Sequence, residues 1–447
     1  MRRRTLATAL LATALATSPA VLAPPAAYAD GSPGQLDPTF GAAGMSAPLP
    51  HEAFAWDLAL QGKRPVSLGR DRPGEGSAQR LILRRFTAGG ALDPTFAGGA
   101  ALRRALRAIG FTSLVGLSTA PDGGFVAVGS AVTSKPGWAM LVVRLRNDGS
   151  LKRSFGNGKG YVLTRFGTAT HGGTGWSAVR VLPSGKILAC GQRVGTSAAT
   201  MAVARYRPSG ALDGSFSGDG KATVGFAAPH DVGCDSLALS GRRVVLSGTI
   251  GADTRPYTQT TGALARLRAD GRLDTTFGDR GRVVIDLSPR TSLGSVVATD
   301  GEAVVVSGRA ADDQLPIAAG ELFLRRYDAA GQLDATFGDA GTLVLPTPTD
   351  RVPEVAGVAA APDGRLVAWT GPATPGSSTY PLLYRVDATG SLDGGFGVGG
   401  VVSTDELPGV HRLALARVMP DLRIVAIGVV DDPVEAGESL AVLRLLG

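Results

Sequence analysis

A motif that returns every 56–61 residues, four short apolar runs between successive returns, and runs that are apolar throughout rather than alternating together predict an all-β protein. The predicted architecture is a seven-bladed β-propeller of four-stranded antiparallel blades. The motif is Leu-Asp-x-x-Phe. It stands at Leu36–Phe40, Leu92–Phe96, Leu212–Phe216, Leu273–Phe277, Leu333–Phe337 and Leu392–Phe396, and as Leu-Lys-Arg-Ser-Phe at Leu151–Phe155. With 63 glycines and 28 prolines in 447 residues, the composition is that of short strands joined by many turns.

In chain order, residues 1–29 read as an export signal. Arg2, Arg3 and Arg4 form a basic n-region, Leu6 to Ala23 an apolar h-region, and Ala27-Tyr28-Ala29 a small-x-small cleavage box. Thr5-Leu6 does not complete a twin-arginine pattern, and Pro19, Pro24 and Pro25 interrupt the apolar run as a membrane anchor would not. The expected mature chain is one domain, residues 30–447, secreted and monomeric, with no membrane span. It keeps 42 basic against 38 acidic side chains, a net charge of +4. The arginines are spread along the repeats rather than clustered, which argues against nucleic acid as partner.

Blade 3 illustrates the unit. Ser177–Leu182, Lys186–Cys190, Ala202–Tyr206 and Lys221–Phe226 are runs rich in Val, Leu, Ile and Ala, separated by Pro-Ser-Gly turns and the anchor motif. A glycine follows the second run in every unit, at 69, 129, 191, 248, 308, 371 and 428. Such regularity requires either positive φ or close approach of a neighbouring backbone. Runs such as Ala303–Val306 must be covered on both faces, as in stacked blades. The last unit has three runs and lacks a fourth, whereas the N-terminus carries a spare anchor and the run Met45–Leu49. The ring is therefore expected to close by the N-terminal strand completing the last blade, with Asp37 near Arg444.

The anchor and hairpin pattern over residues 36–447 resembles the delta-60 repeat, a family of bacterial repeats of this length. The resemblance implies a propeller-like exported or surface protein and no particular activity. The chain departs from the pattern at Lys152-Arg153, where the anchor acid is missing, and at Ala97, where the glycine after Phe96 is missing.

An arginine recurs in the third run of every unit, at 85, 144, 205, 266, 326, 385 and 444, and an anchor aspartate follows eight residues later in five of them. A position filled in every blade serves the blade, so this reads as a structural Arg–Asp pair. Where Lys152 replaces the acid, Arg144 is expected to turn to solvent or to another acceptor such as Asp148.

GxSxG, GxxxxGK, HExxH and CxxC strings are absent, and no cofactor or metal motif is found. The expected function is a non-enzymatic binding or scaffold propeller. Its candidate binding residues lie in the connections from one blade's outer strand to the next blade's inner strand. All four histidines fall there, His51, His171, His230 and His411, and Arg107, Arg290 and Arg351 hold the place in the other units. A rim of such groups at one mouth would attract a cell-wall or extracellular anionic polymer, or a protein partner. Trp56 and Trp176 start inner strands near the same mouth and either stack on a ligand ring or fill the space between blades. A propeller-type lyase or hydrolase using the same histidines is the alternative. Cys190 and Cys234 come to the same height in neighbouring blades, where a disulfide and two buried thiols are both open readings.

Overall fold

The computed structural model describes residues 31–49, 52–71, 80–110, 112–133, 137–167, 175–195, 198–226, 231–251, 260–287, 290–311, 320–347, 354–371, 382–403, 407, 410–432 and 437–447. The chain is a seven-bladed β-propeller. The innermost strands of blades 1 to 7 are Glu52–Gln61, Thr112–Thr119, Gly175–Val181, Ser236–Ser240, Arg290–Ala298, Glu354–Ala360 and Val410–Val418. Blades 2, 3 and 6 are separate four-stranded antiparallel sheets. Blades 4 and 5 share a nine-stranded sheet, four strands from blade 5 and five from blade 4, where Asp231–Val232 and Ser236–Ser240 both pair with Arg243–Gly251, and they touch through one parallel bridge, Thr260 to Arg290.

Blade 1 departs from four strands. After Phe96 the chain forms the helix Gly98–Leu106, and the sheet keeps three strands. The cause is local. This segment is built of Ala, Leu and Arg, with buried Leu102, Leu106 and Ile109 at helical spacing. The fourth strands of blades 2 to 5, such as Arg282–Ile285 and Thr342–Leu345, are rich in β-branched residues instead. The Arg103 guanidinium donates to the Leu81 carbonyl at 2.6 Å, on the sheet edge that a fourth strand would have covered.

Residues 36–49 run antiparallel beside the third strand of blade 7, through bridges Leu36–Leu445, Met45–Leu443 and Leu49–Leu440. Arg444 Nε donates to Asp37 Oδ2 at 2.8 Å. The residue after each anchor phenylalanine also donates its N–H to a carbonyl in the turn before the next anchor. These bonds run from Gly41 to Gly89, Ala97 to Asp148, Gly156 to Ser209, Ser217 to Asp270, Gly278 to Ala330 and Gly338 to Thr389, and from Gly397 back to Pro33 near the N-terminus. Each blade is thereby tied to the next at the same height, all round the ring.

The recurrent arginines reinforce this tie. Arg266 is 1% exposed; it donates to Asp274 Oδ2 at 2.9 Å, reaches the Ala329 carbonyl of blade 5 at 2.5 Å, and lies 4.5 Å from the Phe277 ring centroid. Arg85, Arg205, Arg326 and Arg444 repeat all three contacts. Arg385 keeps the aspartate and the ring, Asp393 and Phe396, without the bond to the next blade's carbonyl, and Arg144 departs further. It is buried, turning neither to solvent nor to Asp148, because Asp122 in the hairpin turn of its own blade supplies the acid. Lys152 grips the other oxygen of Asp122 at 2.6 Å, so the lysine that displaced the anchor acid shares its substitute.

At Gly129, Gly191 and Gly248 the glycine after the second run is explained by close approach of the inner strand rather than by positive φ. A Cβ on Gly129 would lie 1.9 Å from the Ser113 carbonyl oxygen, and one on Gly191 2.0 Å from that of Gly175. The inner strand is pressed against this glycine and bulges beside it: register shifts fall between Ala55 and Asp57, Leu114 and Gly116, Trp176 and Ala178, and Leu413 and Leu415. Cys190 and Cys234 are joined by a disulfide between blades 3 and 4, with Cα atoms 5.8 Å apart.

Candidate functional site in the central channel

The bulges aim side chains at the ring axis. Trp56, Val115, Ser177 and Ala414 are the extra residues of blades 1, 2, 3 and 7, and Asp235 holds the same place in blade 4, one residue before Ser236, which pairs with Ser247. All five line one cavity of about 400 Å³ enclosed by the innermost strands of the seven blades.

Four charged groups line this cavity: Asp57, Arg180, Asp235 and Arg417. Arg180 and Arg417 occupy the same register position, each paired with the residue three before the recurrent glycine, Leu188 and Val425 respectively. Asp57 is fixed by three donors: its own neighbour Leu58 N at 2.8 Å, Leu117 N of blade 2 at 2.7 Å, and Arg417 Nη2 at 2.5 Å. Ser236 and Ser295 use the same position to accept from Val296 N and Val358 N of the following blades. The side chain here is therefore a tie between inner strands, which Asp57 makes with a carboxylate and thereby anchors Arg417.

Arg180 is placed differently. Its hydrogen bond among the described residues is to the adjacent Val179 carbonyl, 3.0 Å away. Enclosure by the channel walls, and then the like charge of Arg417, push its guanidinium below the ordinary arginine range, with Asp57 acting in the opposite sense. Two guanidinium groups thus line one cavity, and one of them, Arg417, is bonded to a carboxylate already held by backbone donors. Asp235 faces the channel solvent, yet protein surrounds it, and this enclosure pushes its carboxyl up to about 6.

Three of the seven residues expected to form a rim fall within the described residues. His51, His171, His230 and Arg351 lie outside the described residues. Arg290 begins the inner strand of blade 5. Arg107 is exposed in a 3-10 turn after the helix of blade 1. His411 is half-buried, with Nε2 2.7 Å from Asp431 Oδ1 on the neighbouring strand of its own blade. Trp56 faces the channel, 40% exposed. Trp176 does not line a mouth: it is 2% exposed, packed edge-on against Phe166 in the core between blades 2 and 3. Asp57, Arg180, Asp235 and Arg417 are absent from the sequence reading. The signal that finds them is a comparison of the seven inner strands, in which these charges interrupt positions filled elsewhere by uncharged residues, mostly Ala, Ser, Gly and Val. Among the described residues no group of three or more His, Cys, Asp or Glu is arranged to hold a metal, and no helix is long and apolar enough to cross a membrane.

Comparison with known proteins agrees with the architecture. The family described as "Domain of unknown function (DUF5122) beta-propeller" matches residues 182–216 and 249–277. No curated protein matches. Among solved structures, a polysaccharide lyase (ulvan lyase) bound to -[GlcA(1-4)Rha3S]- is similar at 10% identity and a TM-score of 0.51, over 93% of this chain and 95% of that one. Pyrococcus horikoshii acylaminoacyl peptidase is similar at 15% identity and a TM-score of 0.38, over 72% of this chain; the match spans only 44% of the peptidase. A glucose dehydrogenase gives 15% identity and a TM-score of 0.38, over 76% and 97%. At these identities the likeness is one of fold, and the chain stands with the β-propellers by its repeats, its sheets and its partial match to a propeller family.

Proposed function

We propose that this chain is an exported, non-enzymatic binding propeller of the delta-60 repeat type that takes an anionic group into its central channel. The observation that carries the reading is Arg180, a guanidinium that lines the same cavity as a second one, Arg417, whose carboxylate partner Asp57 is already engaged by backbone donors. A carboxylate or sulfate between them would relieve the repulsion and accept charge-assisted hydrogen bonds. The export signal expected at residues 1–29 supports a ligand outside the cytoplasm, among cell-wall or extracellular anionic polymers. The ulvan lyase bears on this only through its fold.

A second reading, a propeller lyase or hydrolase, draws on Asp235, whose carboxyl near 6 suits proton transfer close to neutral pH. Titration calorimetry with teichoic acid, polygalacturonate and neutral dextran separates the two. Binding of an acidic polymer that weakens at least about tenfold in Arg180→Gln, with no product released, supports the binding reading. Product release that Asp235→Asn abolishes supports the enzyme. Equal binding by wild type and Arg180→Gln overturns the channel as the anion site.

A further inference from the structure

Arginines alone would serve any anion, but the channel holds more than charge. Among the described residues the exposed large hydrophobic side chains include two aromatics, Phe54 at 54% and Trp56 at 40% exposure. Both stand on the innermost strand of blade 1, their ring centroids 6.4 Å apart and their planes inclined by 49°. Trp56 owes its position to the bulge, which turns it into the cavity that also contains Arg180, Arg417 and Asp235. At the same bulge position blades 2, 3 and 7 present Val115, Ser177 and Ala414, so space is left beside the indole. The Arg70 guanidinium lies 5.8 Å from the Trp56 ring centroid, on the adjoining strand.

Resting on the anion reading above, we infer that the ligand is an acidic saccharide, one pyranose ring stacked on Trp56 and its carboxylate or sulfate directed to Arg180. A pyranose offers an apolar C–H face to an aromatic ring, hydroxyl groups to the serines, and an acid group to the guanidinium. A cavity of about 400 Å³ is of the size of small-ligand sites. An acidic peptide would use the arginines but gain little from one indole recessed among small side chains. Asp235 stands level with Trp56, where a carboxylate accepts hydrogen bonds from sugar hydroxyls.

The test uses the full mature chain with three probes: a galacturonate trisaccharide, the matching neutral galactose trisaccharide and an oligoglutamate. Affinities are read by calorimetry for wild type, Trp56→Ala and Arg180→Gln. Trp56 is exposed, so Trp56→Ala is expected to melt with wild type. The inference expects the acidic sugar to bind at least about tenfold tighter than both other probes, and to lose about tenfold in Trp56→Ala. In Arg180→Gln the acidic and neutral sugars should become equal. If Trp56→Ala binds the acidic sugar like wild type while Arg180→Gln does not, the saccharide inference fails and the anion reading stands. If oligoglutamate binds best, the ligand is a peptide and the inference fails. If no sugar binds at millimolar concentration, the inference fails. If Arg180→Gln keeps full preference for the acidic sugar, the anion reading itself fails.

Discussion

The ring of anchors and the wall of the channel repeat with the same period but treat charge in opposite ways. In blades 1, 3, 4, 5 and 6 an arginine meets an aspartate eight residues on, and Arg444 meets Asp37 in the same geometry. Along the inner strands Arg180 and Arg417 share one register position, and Ala59 and Ala238 are among the residues that line the corresponding stretch of other blades. Repetition identifies what every blade needs in order to hold its neighbour. Departure from repetition identifies what one blade contributes alone, and four such departures meet in the channel.

The comparison breaks first, and with the largest effect, at Arg266. Arg266→Ala removes one of the two arginines bonded to Asp274, leaving Arg243 alone, and breaks the bond to the Ala329 carbonyl of the next blade. The expected loss is about 3–5 kcal/mol in urea unfolding, the usual cost of removing one partner of a buried pair. Arg180→Gln, by contrast, removes a repulsion and is expected to stay within about 0.5 kcal/mol of wild type or to gain slightly. Equal losses would mean that the channel arginine is part of the scaffold.

The disulfide comes next. It joins blades 3 and 4 across 44 positions of sequence, in addition to the hydrogen bond from Cys234 N to the Gly191 carbonyl. The Cys190→Ala/Cys234→Ala pair is expected to lose about 3–4 kcal/mol on the chain-entropy account. Reductant should lower the unfolding midpoint of wild type and leave that of the double variant unchanged.

Blade 2 sharpens the comparison because its anchor was rebuilt. Partial burial opposes ionisation of Asp122, and the bonds from Lys152 and Arg144 overcome it, holding the carboxyl well below the usual carboxylate range. Asp122→Ala leaves two like charges together, at an expected cost of about 1–2 kcal/mol, limited because Asp122 and Lys152 are partly exposed. Adding Lys152→Asp should restore most of that loss by recreating the arrangement of the other blades. No recovery would show that the hairpin acid has become the better site.

The repeat made the fold legible. Anchor spacing gave the blade count, and apolar runs gave the strands, because both are dictated by packing between identical units. The helix after Phe96 was hidden by the repeat itself: a fourth strand was expected where Leu102, Leu106 and Ile109 follow a helical period. The acceptor for Arg144 was misplaced because Asp122 lies 22 residues earlier and reaches it only through the sheet pairing. The site was least legible. Histidines drew notice as a rare residue type, whereas Arg180 and Arg417 are two arginines among many, and their convergence depends on bulges that the sequence shows only as a recurrent glycine. Trp56 and Trp176 looked alike as inner-strand tryptophans, yet one residue of register separates the bulge position from the paired one, and that sends Trp56 to the channel and Trp176 to the core.

The smallest expected effect concerns Asp235 and asks whether the channel behaves as an enclosed compartment. Its folded carboxyl near 6 lies above the value of about 3.9 for an unfolded aspartate. Below pH 4 the group is protonated in both states and favours neither. Between pH 4 and 6 the folded chain still holds the proton that the unfolded chain has released, so stability falls as pH rises, and the loss is complete above about 6. Asp235→Asn, which never ionises, should therefore match wild type in relative terms at pH 4, gain on it as pH rises to about 6, and level off above that. Because the side chain faces channel water, the gain should be about 1 kcal/mol or less. Urea midpoints of the two proteins at pH 4, 5, 6 and 7.5 measure it. A difference that grows with pH means that an ionised Asp235 is poorly hydrated, and that the channel would take up an anionic ligand more readily at pH 5 than at pH 7.5. A flat difference means that bulk-like water reaches Asp235, which removes it as a proton carrier and leaves Arg180 as the group that distinguishes the channel.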